Sequence, residues 1–185
     1  MTTHEQRPDR AGGAARPPVL GVDIGGVIIH RLDDRDTSFF GDTPMRTPAV
    51  DGAFEALAEL AQHPFQGRVY LVSKAKPATA DRTRRWLALH AFAGRTGIPG
   101  DHLHFVPERA DKAPICERLG ITHFVDDRID VLRHLGTVPH RYLFTGGGGA
   151  DDAPDELPDW ATPSTAWPEL AEVIRRSVPA AREGR

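Results

Sequence analysis

Residues Val19 to Ile29 read VLGVDIGGVII, and this stretch decides how the rest of the chain is interpreted. An apolar run rich in β-branched residues reaches a single carboxylate, Asp23, which is followed at once by Ile24 and two glycines. Apolar residues on both sides of an extended segment are typical of a strand buried within a parallel sheet. Open α/β sheets bind ligands at the carboxyl ends of their strands, so Asp23 lies where a functional group is expected. Asp and Gly are also common turn residues, so this stretch alone leaves both interpretations open.

Composition and charge indicate a single soluble domain. The chain has 185 residues, of which 39% are hydrophobic and 26% charged, enough for one buried core. A net charge of -3 disfavours non-specific binding to nucleic acid or to an anionic membrane, because both need a basic surface. No segment approaches the roughly 20 apolar residues of a membrane span, and the N-terminus lacks the apolar core of a signal peptide. The single cysteine, Cys116, excludes an intramolecular disulfide and a thiolate metal site. We therefore expect a cytoplasmic protein. The sequence leaves its oligomeric state open and allows a homo-oligomer.

Strand and helix patterns alternate along the chain, which predicts an α/β fold. Residues 1–17 are expected to form a disordered leader, residues 18–178 one domain, and residues 179–185 a disordered tail. The predicted strands cover residues 19–24, 68–73, 102–106, 121–125 and 141–144. The first predicted helix begins at Pro48, and four further helices are predicted for residues 77–92, 112–119, 129–135 and 168–176. Together they predict a Rossmann-like parallel sheet of about five strands with helices on both faces.

Side chains with capping ability precede three of the predicted helices. Thr47 is the predicted N-cap of the helix that starts at Pro48, and Asp111 is that of the helix from Lys112. Ser164 or Thr165 is the expected cap of the last helix.

Four segments allow a functional and a structural interpretation. Residues 30–47 form a loop or flap in which Phe39 and Phe40 pack against a ligand or anchor the loop to the core, the latter being favoured. Residues 146–149 are all glycine, without the spacing of a dinucleotide fingerprint, which favours a linker over a phosphate cradle. The remaining candidates are a metal site at His102 and His104, which lack a third ligand, and a tail with Trp160 and Trp167 that covers a site instead of packing in the core.

Polar side chains follow the apolar strands at three strand ends. They are Asp23, Ser73 and the pair Asp126-Asp127, and Lys112 starts the helix after the third strand. Because the carboxyl ends of parallel strands meet at one edge of the sheet, we expect these side chains to share one crevice.

Such a crevice has the composition of a phosphoryl-transfer site. Crowded carboxylates repel one another unless a cation lies among them, and oxygen ligands without His or Cys favour a hard cation such as Mg²⁺. A serine hydroxyl and a lysine ammonium are suited to bind the oxygens of a substrate phosphate. Asp23 is the candidate nucleophile, because a carboxylate forms an aspartyl-phosphate.

The order of these residues resembles the four motifs of the haloacid dehalogenase (HAD) superfamily. The resemblance covers residues 19–144, and it lies in all four motifs appearing in order at the expected strand ends. It implies that Asp23 is the nucleophile, that Ser73 and Lys112 hold the phosphoryl group, and that Asp126 and Asp127 bind Mg²⁺. The carbonyl of residue 25 is expected to ligate the metal as well. Lys74, Gly25 and Gly26 adjoin these motifs and are expected to contact the substrate.

The sequence departs from the pattern of the family's phosphatases at Gly25, where they usually carry a second Asp that protonates the leaving group. General acid–base catalysis contributes typically 10²- to 10⁴-fold, so an ordinary phosphatase with this site is expected to be slow. Three outcomes stay open. A flap residue supplies the proton, or the substrate has a good leaving group, or the protein binds phosphorylated ligands with little turnover. The candidate proton donors of the flap are His30, Asp33, Asp34 and Asp36.

The family's cap domains are inserted after the first or the second motif, and neither interval here is long enough for one. The resemblance therefore implies a capless, Mg²⁺-dependent phosphohydrolase whose open site admits a small or a macromolecular phosphorylated substrate. A regulatory phosphate-binding protein on the same scaffold and a hydrolase of a non-phosphate substrate are the alternatives.

Overall fold

The computed structural model describes residues 16–34, 36–148 and 156–179. Six strands form one sheet in the order β3-β2-β1-β4-β5-β6, and all neighbouring strands are parallel. The strands are β1 (Leu20–Val22), β2 (Val69–Lys74), β3 (Leu103–Val106), β4 (His123–Asp126), β5 (His140–Phe144) and β6 (Ala161–Ser164). The helices are α1 (Ala53–Gln62), α2 (Pro77–Leu89), α3 (Phe92–Thr96), α4 (Lys112–Leu119), α5 (Ile129–His134) and α6 (Trp167–Ser177). Short 3₁₀ helices cover Pro44–Arg46, Gly100–His102 and Arg109–Asp111.

Helices cover both faces of the sheet, as the alternating pattern predicts. One apolar cluster contains side chains of α1, α2, α3 and α6, among them the fully buried Trp86 and Trp167. A second cluster contains side chains of α4 and α5, among them Cys116 and Leu132. Consecutive residues of one strand therefore belong to opposite clusters, because side chains alternate across a sheet. The α/β, Rossmann-like fold is confirmed, and Trp167 belongs to its core.

The expected strand count of five is too low, because β6 carries no strand signal in the sequence. It reads Ala-Thr-Pro-Ser, in which only Ala161 and Ser164 are buried. Pro163 has no amide hydrogen to donate, which restricts it to an edge strand, and β6 is the edge next to β5. A strand with little apolar surface shows almost no periodicity.

The first helix starts five residues later than predicted, at Ala53. Residues 48–50 instead run extended beside residues 28–30, with Val50 N–H donating to Ile28 O at 2.8 Å and His30 N–H to Pro48 O at 3.1 Å. Thr47 is therefore not an N-cap. It is fully buried, and its hydroxyl lies 2.6 Å from the Thr37 carbonyl oxygen, which ties the flap to the core.

Two further helix boundaries differ from the prediction. The helix predicted for residues 77–92 ends at Leu89, because Ala91 adopts a left-handed conformation, and α3 occupies part of the expected loop at 94–100. The N-cap of α6 is Ala166, so neither Ser164 nor Thr165 caps it.

Parts of the predicted leader (residues 1–15) and tail (residues 180–185) lie outside the described residues. Along the described stretches, no helix has both the length and the apolar character that a membrane span requires.

Candidate active site

Three neighbouring strands bring the predicted site residues together. Strands β2, β1 and β4 lie side by side, and Ser73, Asp23 and Asp126 stand at their carboxyl ends. Asp127 follows β4 directly, and Lys112 is the first residue of α4 at the same edge. All five are buried, and all except Asp127 line one cavity at this edge of the sheet.

The three aspartates form a compact acidic group. Asp23, Asp126 and Asp127 each offer a carboxylate oxygen, and these oxygens all lie within 4.8 Å of one another. Among the described residues, these three are the one group of three or more potential metal ligands that lie close enough together to share an ion. Asp23 Oδ1 and both carboxylate oxygens of Asp127 are buried without an aligned hydrogen-bond donor. Buried oxygens with unused lone pairs and no nitrogen or sulfur ligand fit a hard divalent cation.

Lys112 connects two of these aspartates. Its Nζ donates to Asp126 Oδ2 at 2.7 Å and lies 3.0 Å from Asp23 Oδ1. Burial lowers the pKa of this ammonium group, but the carboxylates of Asp126 and Asp23 outweigh it and hold the pKa above its usual value. Lys112 is therefore a permanent cation at the base of the site.

Asp126 and Asp127 differ in the hydrogen bonds that their carboxylates accept and in their pKa values. Asp126 accepts from Lys112 through one oxygen and from the Arg128 N–H through the other, at 3.0 Å, yet burial raises its pKa to about 6. Burial, followed by the charges of Asp23 and Asp126, raises the pKa of Asp127 to about 8. Without a further cation, the group therefore holds a proton near neutral pH.

Arg31 is a site residue that the sequence did not indicate. Its Nη1 lies 3.1 Å from Asp127 Oδ2, and its side chain is 40% exposed. The contact joins residues nearly a hundred positions apart, and no motif or periodicity marks it. Arg31 and Lys112 together place two cations against three carboxylates, so one negative charge is left for a bound cation to neutralise when all three carboxylates are ionised.

The two glycines after Asp23 have different roles. Gly26 has a φ of +76°, and a Cβ there would lie 2.3 Å from Asp127 Oδ2, so glycine lets the Asp127 carboxylate approach the loop. A Cβ at Gly25 would meet nothing within 4 Å, although Gly25 lines the cavity. A Cβ atom is thus sterically permitted at the position where the phosphatases of the family that the sequence resembles carry a second Asp.

The glycine run after β5 packs against this loop, so its interpretation as a linker is wrong for residues 146–148. A Cβ at Gly147 would lie 2.0 Å from the carbonyl oxygen of Gly26. The Gly147 carbonyl accepts from the Arg31 N–H at 2.7 Å and lies 3.3 Å from His30 Nδ1. Gly149 lies outside the described residues.

A cavity of about 180 Å³ is lined by Asp23 and Asp126. Ser73, Lys74 and Gly26 line it, as does the aromatic pair of the flap. Core anchoring, the favoured interpretation of the aromatic pair, is confirmed for Phe39 and is wrong for Phe40, which is 72% exposed at the cavity. The two rings meet edge to face at 5.5 Å.

Two other sets of candidates are the pair of His102 and His104 and the proton-donor candidates of the flap. His102 Nδ1 is 2.8 Å from the Val69 carbonyl oxygen, and its ring stacks on Tyr70; among the described residues no third metal ligand joins the pair with His104. Asp34 accepts hydrogen bonds from Thr37, and of the four candidate proton donors in the flap the cavity lining includes His30 alone.

Similarity to known proteins is found in structure and not in sequence. No family model and no curated protein sequence matches this chain. Its structure is similar to that of D,D-heptose 1,7-bisphosphate phosphatase from Burkholderia thailandensis, with a TM-score of 0.59, 18% identity, and 85% of this chain and 97% of that chain covered. It is also similar to a haloacid dehalogenase-like family hydrolase from Xanthomonas campestris, with a TM-score of 0.58, 12% identity, and 86% and 95% covered.

A haloacid dehalogenase-like hydrolase from Burkholderia xenovorans is similar over 69% of this chain and 58% of its own, with a TM-score of 0.52 and 14% identity. The protein therefore has the fold of the HAD-like hydrolases, as the order of its motifs indicated. At these identities the similarity establishes the fold and not the reaction.

Proposed function

We propose that this protein is a Mg²⁺-dependent phosphohydrolase whose nucleophile is Asp23. The observation that carries the proposal is the buried group of Asp23, Asp126 and Asp127, whose carboxylate oxygens lie within 4.8 Å of one another, beside the permanent cation Lys112. The similarity in fold to a phosphatase and to two HAD-like hydrolases supports it.

The residues of the cavity divide into those that hold the metal and those that hold the phosphoryl group. Asp23, Asp127, Asp126 and the carbonyl of Gly25 would hold Mg²⁺, which, when bound, neutralises negative charge on the phosphoryl oxygens. Lys112 pairs with the Asp23 carboxylate and orients it for attack. The Ser73 hydroxyl lines the same cavity and donates to a phosphoryl oxygen there.

Lys74 and Gly26 complete the phosphate-binding surface. Lys74 is exposed at the edge of the cavity and supplies a point charge for an anionic substrate. Gly26 lines the same cavity beside Asp23. Phe40 provides an apolar wall at the opening, where the part of the substrate beyond the phosphate would lie.

The missing side chain at Gly25 favours one rival, a phosphate-binding protein with little turnover. p-Nitrophenyl phosphate separates the two, because its leaving group departs with little need for a proton. We expect Mg²⁺-dependent hydrolysis by the wild type, reduced by roughly 10⁴-fold or more in Asp23→Asn. The matched control is Asp81→Asn, an exposed aspartate on α2, which leaves the rate unchanged.

The rival function gives the opposite result. Wild-type protein that hydrolyses neither p-nitrophenyl phosphate nor acetyl phosphate, while inorganic phosphate with Mg²⁺ still raises its Tm, would establish phosphate binding without turnover.

A further inference from the structure

The cavity lacks a proton donor at position 25. Another titratable side chain that lines the cavity would have to supply the proton to the leaving group. Outside the group of Asp23, Asp126 and Lys112, the side chains of this kind are His30, Arg31, Lys74, Arg109 and Arg128. Arginine does not release its proton in proteins, and an exposed lysine releases it only at high pH. A histidine side chain exchanges its proton in the neutral range. By chemistry alone, His30 is the group suited to general acid–base catalysis.

The geometry around His30 fixes one ring nitrogen and leaves the other available. Nδ1 lies 3.3 Å from the carbonyl oxygen of Gly147. A carbonyl oxygen only accepts, so Nδ1 carries the hydrogen in this contact and Nε2 is the nitrogen left for another partner. The arrangement matches the usual requirement that a catalytic base be oriented through its second nitrogen by a hydrogen-bond acceptor.

The carbonyl of Gly147, which accepts from His30, is held in place by contacts with the loop after Asp23. The carbonyl of Gly147 also accepts from the Arg31 N–H, and the Gly147 backbone packs on the Gly26 carbonyl. The His30 backbone is fixed by its N–H bond to Pro48 O. The glycine run, the flap and the loop after Asp23 thus converge on the imidazole, which is half-buried at the cavity.

We propose that His30 is the general acid and base of this site, in place of the side chain absent at Gly25. The inference rests on the proposed phosphohydrolase function. In the first step a bond forms between an Asp23 carboxylate oxygen and phosphorus, and the bond from phosphorus to the leaving oxygen breaks. Protonated His30 gives its Nε2 proton to that oxygen, so the leaving group departs as an alcohol.

In the second step a water oxygen bonds to phosphorus and Nε2 accepts a proton from this water. The bond between Asp23 and phosphorus breaks, which regenerates the carboxylate and releases inorganic phosphate. The imidazole is protonated again, so no proton or electron is left over and the cycle is closed.

The test compares a substrate that needs a proton donor with one that does not. Glycerol 2-phosphate has a poor leaving group, and p-nitrophenyl phosphate has a good one. We expect His30→Gln to lower kcat/KM for glycerol 2-phosphate by roughly 10²-fold or more, and for p-nitrophenyl phosphate by less than about 10-fold. The value of kcat/KM reports the transfer to Asp23, so a slower second step does not obscure the comparison.

The matched control is His102→Gln, which removes another half-buried ring bound through Nδ1 to a carbonyl, outside the cavity. It should leave the ratio of the two kcat/KM values unchanged. Where His30→Gln does not fold, His30→Ala with added imidazole replaces it, and imidazole should restore hydrolysis of glycerol 2-phosphate.

A second experiment uses the free space at position 25. Adding Gly25→Asp to His30→Gln should recover at least about 10-fold of the lost kcat/KM on glycerol 2-phosphate, because an Asp there supplies the proton. Equal losses on both esters in His30→Gln, or no loss on glycerol 2-phosphate, overturn the assignment of His30. A wild type inactive on both esters overturns the phosphohydrolase function instead, so the two failures are distinguishable.

Discussion

The carboxylate of Asp127 occupies the space in which a side chain at Gly26 would begin. A Cβ on Gly26 would lie 2.3 Å from Asp127 Oδ2, and Gly26 has a φ of +76°. The glycine therefore serves the acidic group as well as the turn, and substitution should disturb both.

We expect Gly26→Ala to lower the free energy of unfolding and to abolish the rise in Tm that Mg²⁺ produces. Gly67→Ala is the matched control, because Gly67 has a φ of +81° but a Cβ there would meet nothing within 4 Å. The control should cost about 1–2 kcal/mol, the usual penalty of the left-handed conformation, and keep the response to Mg²⁺. Urea unfolding and thermal melts measure both effects; similar losses in the two variants would contradict the role of Asp127.

Replacing Lys112 should be costly, because its partners are buried. We expect Lys112→Met to lower the free energy of unfolding by about 3–5 kcal/mol and to abolish hydrolysis, since Asp126 and Asp23 lose their cation. Arg176→Met is the control, as Arg176 forms an exposed ion pair with Glu172, and it should cost less than about 1 kcal/mol. Urea unfolding without metal provides the comparison, and a small loss in Lys112→Met would contradict the buried ion pair.

The raised pKa values of Asp126 and Asp127 predict how Mg²⁺ stabilisation depends on pH. Between the ordinary value of 3.8 and the folded-state pKa of about 8 for Asp127, the folded protein binds more protons than the unfolded chain. Without metal, the free energy of unfolding therefore falls as pH rises through this window. Mg²⁺ has to displace these protons, so it should bind better at higher pH.

The measurement is the difference in Tm between excess Mg²⁺ and EDTA at about pH 5.5 and about pH 8.5. We expect a clearly larger difference at the higher pH, and little at either pH in Asp127→Asn. An equal difference at both pH values in the wild type would show that no carboxyl group titrates on binding.

Phe40 should affect substrate binding without affecting stability. The residue is 72% exposed at the cavity, so Phe40→Ala removes no buried side chain, and the contacts that it loses within the protein include the edge-to-face contact with the Phe39 ring. Loss of one aromatic wall should raise KM for p-nitrophenyl phosphate by roughly 2- to 10-fold with Tm unchanged. Leu89→Ala, which removes an apolar side chain 66% exposed on α2 and outside the cavity, should change neither quantity. An unchanged KM in Phe40→Ala would remove Phe40 from the binding surface.

The position of the site can be predicted from the sequence because it depends on a general property of parallel sheets. Asp23, Ser73 and Asp126 each lie at the end of a recognisable apolar strand. The carboxyl ends of parallel strands meet at one edge of the sheet, whatever the order of the strands. Lys112 belongs there for the same reason, because a predicted strand precedes its helix.

Local signals are weaker guides where tertiary contacts compete with them. Thr47-Pro48 has the composition of a helix start, yet residues 48–50 pair with the segment after Asp23, and the helix begins at Ala53. Strand β6 escapes prediction because Pro163 and its neighbours lack an apolar pattern.

By itself, the sequence determined the fold class, the strand ends that carry the site and the absence of a side chain at position 25. Periodicity and motif order can be recognised in the sequence without knowing which segments are in contact in the folded protein. Only the tertiary structure decided that Arg31 pairs with Asp127, that Gly147 packs on Gly26, and that His30 is thereby oriented at the cavity. These contacts join segments roughly a hundred residues apart, and the pattern of buried positions shows that a residue has a partner without showing which one.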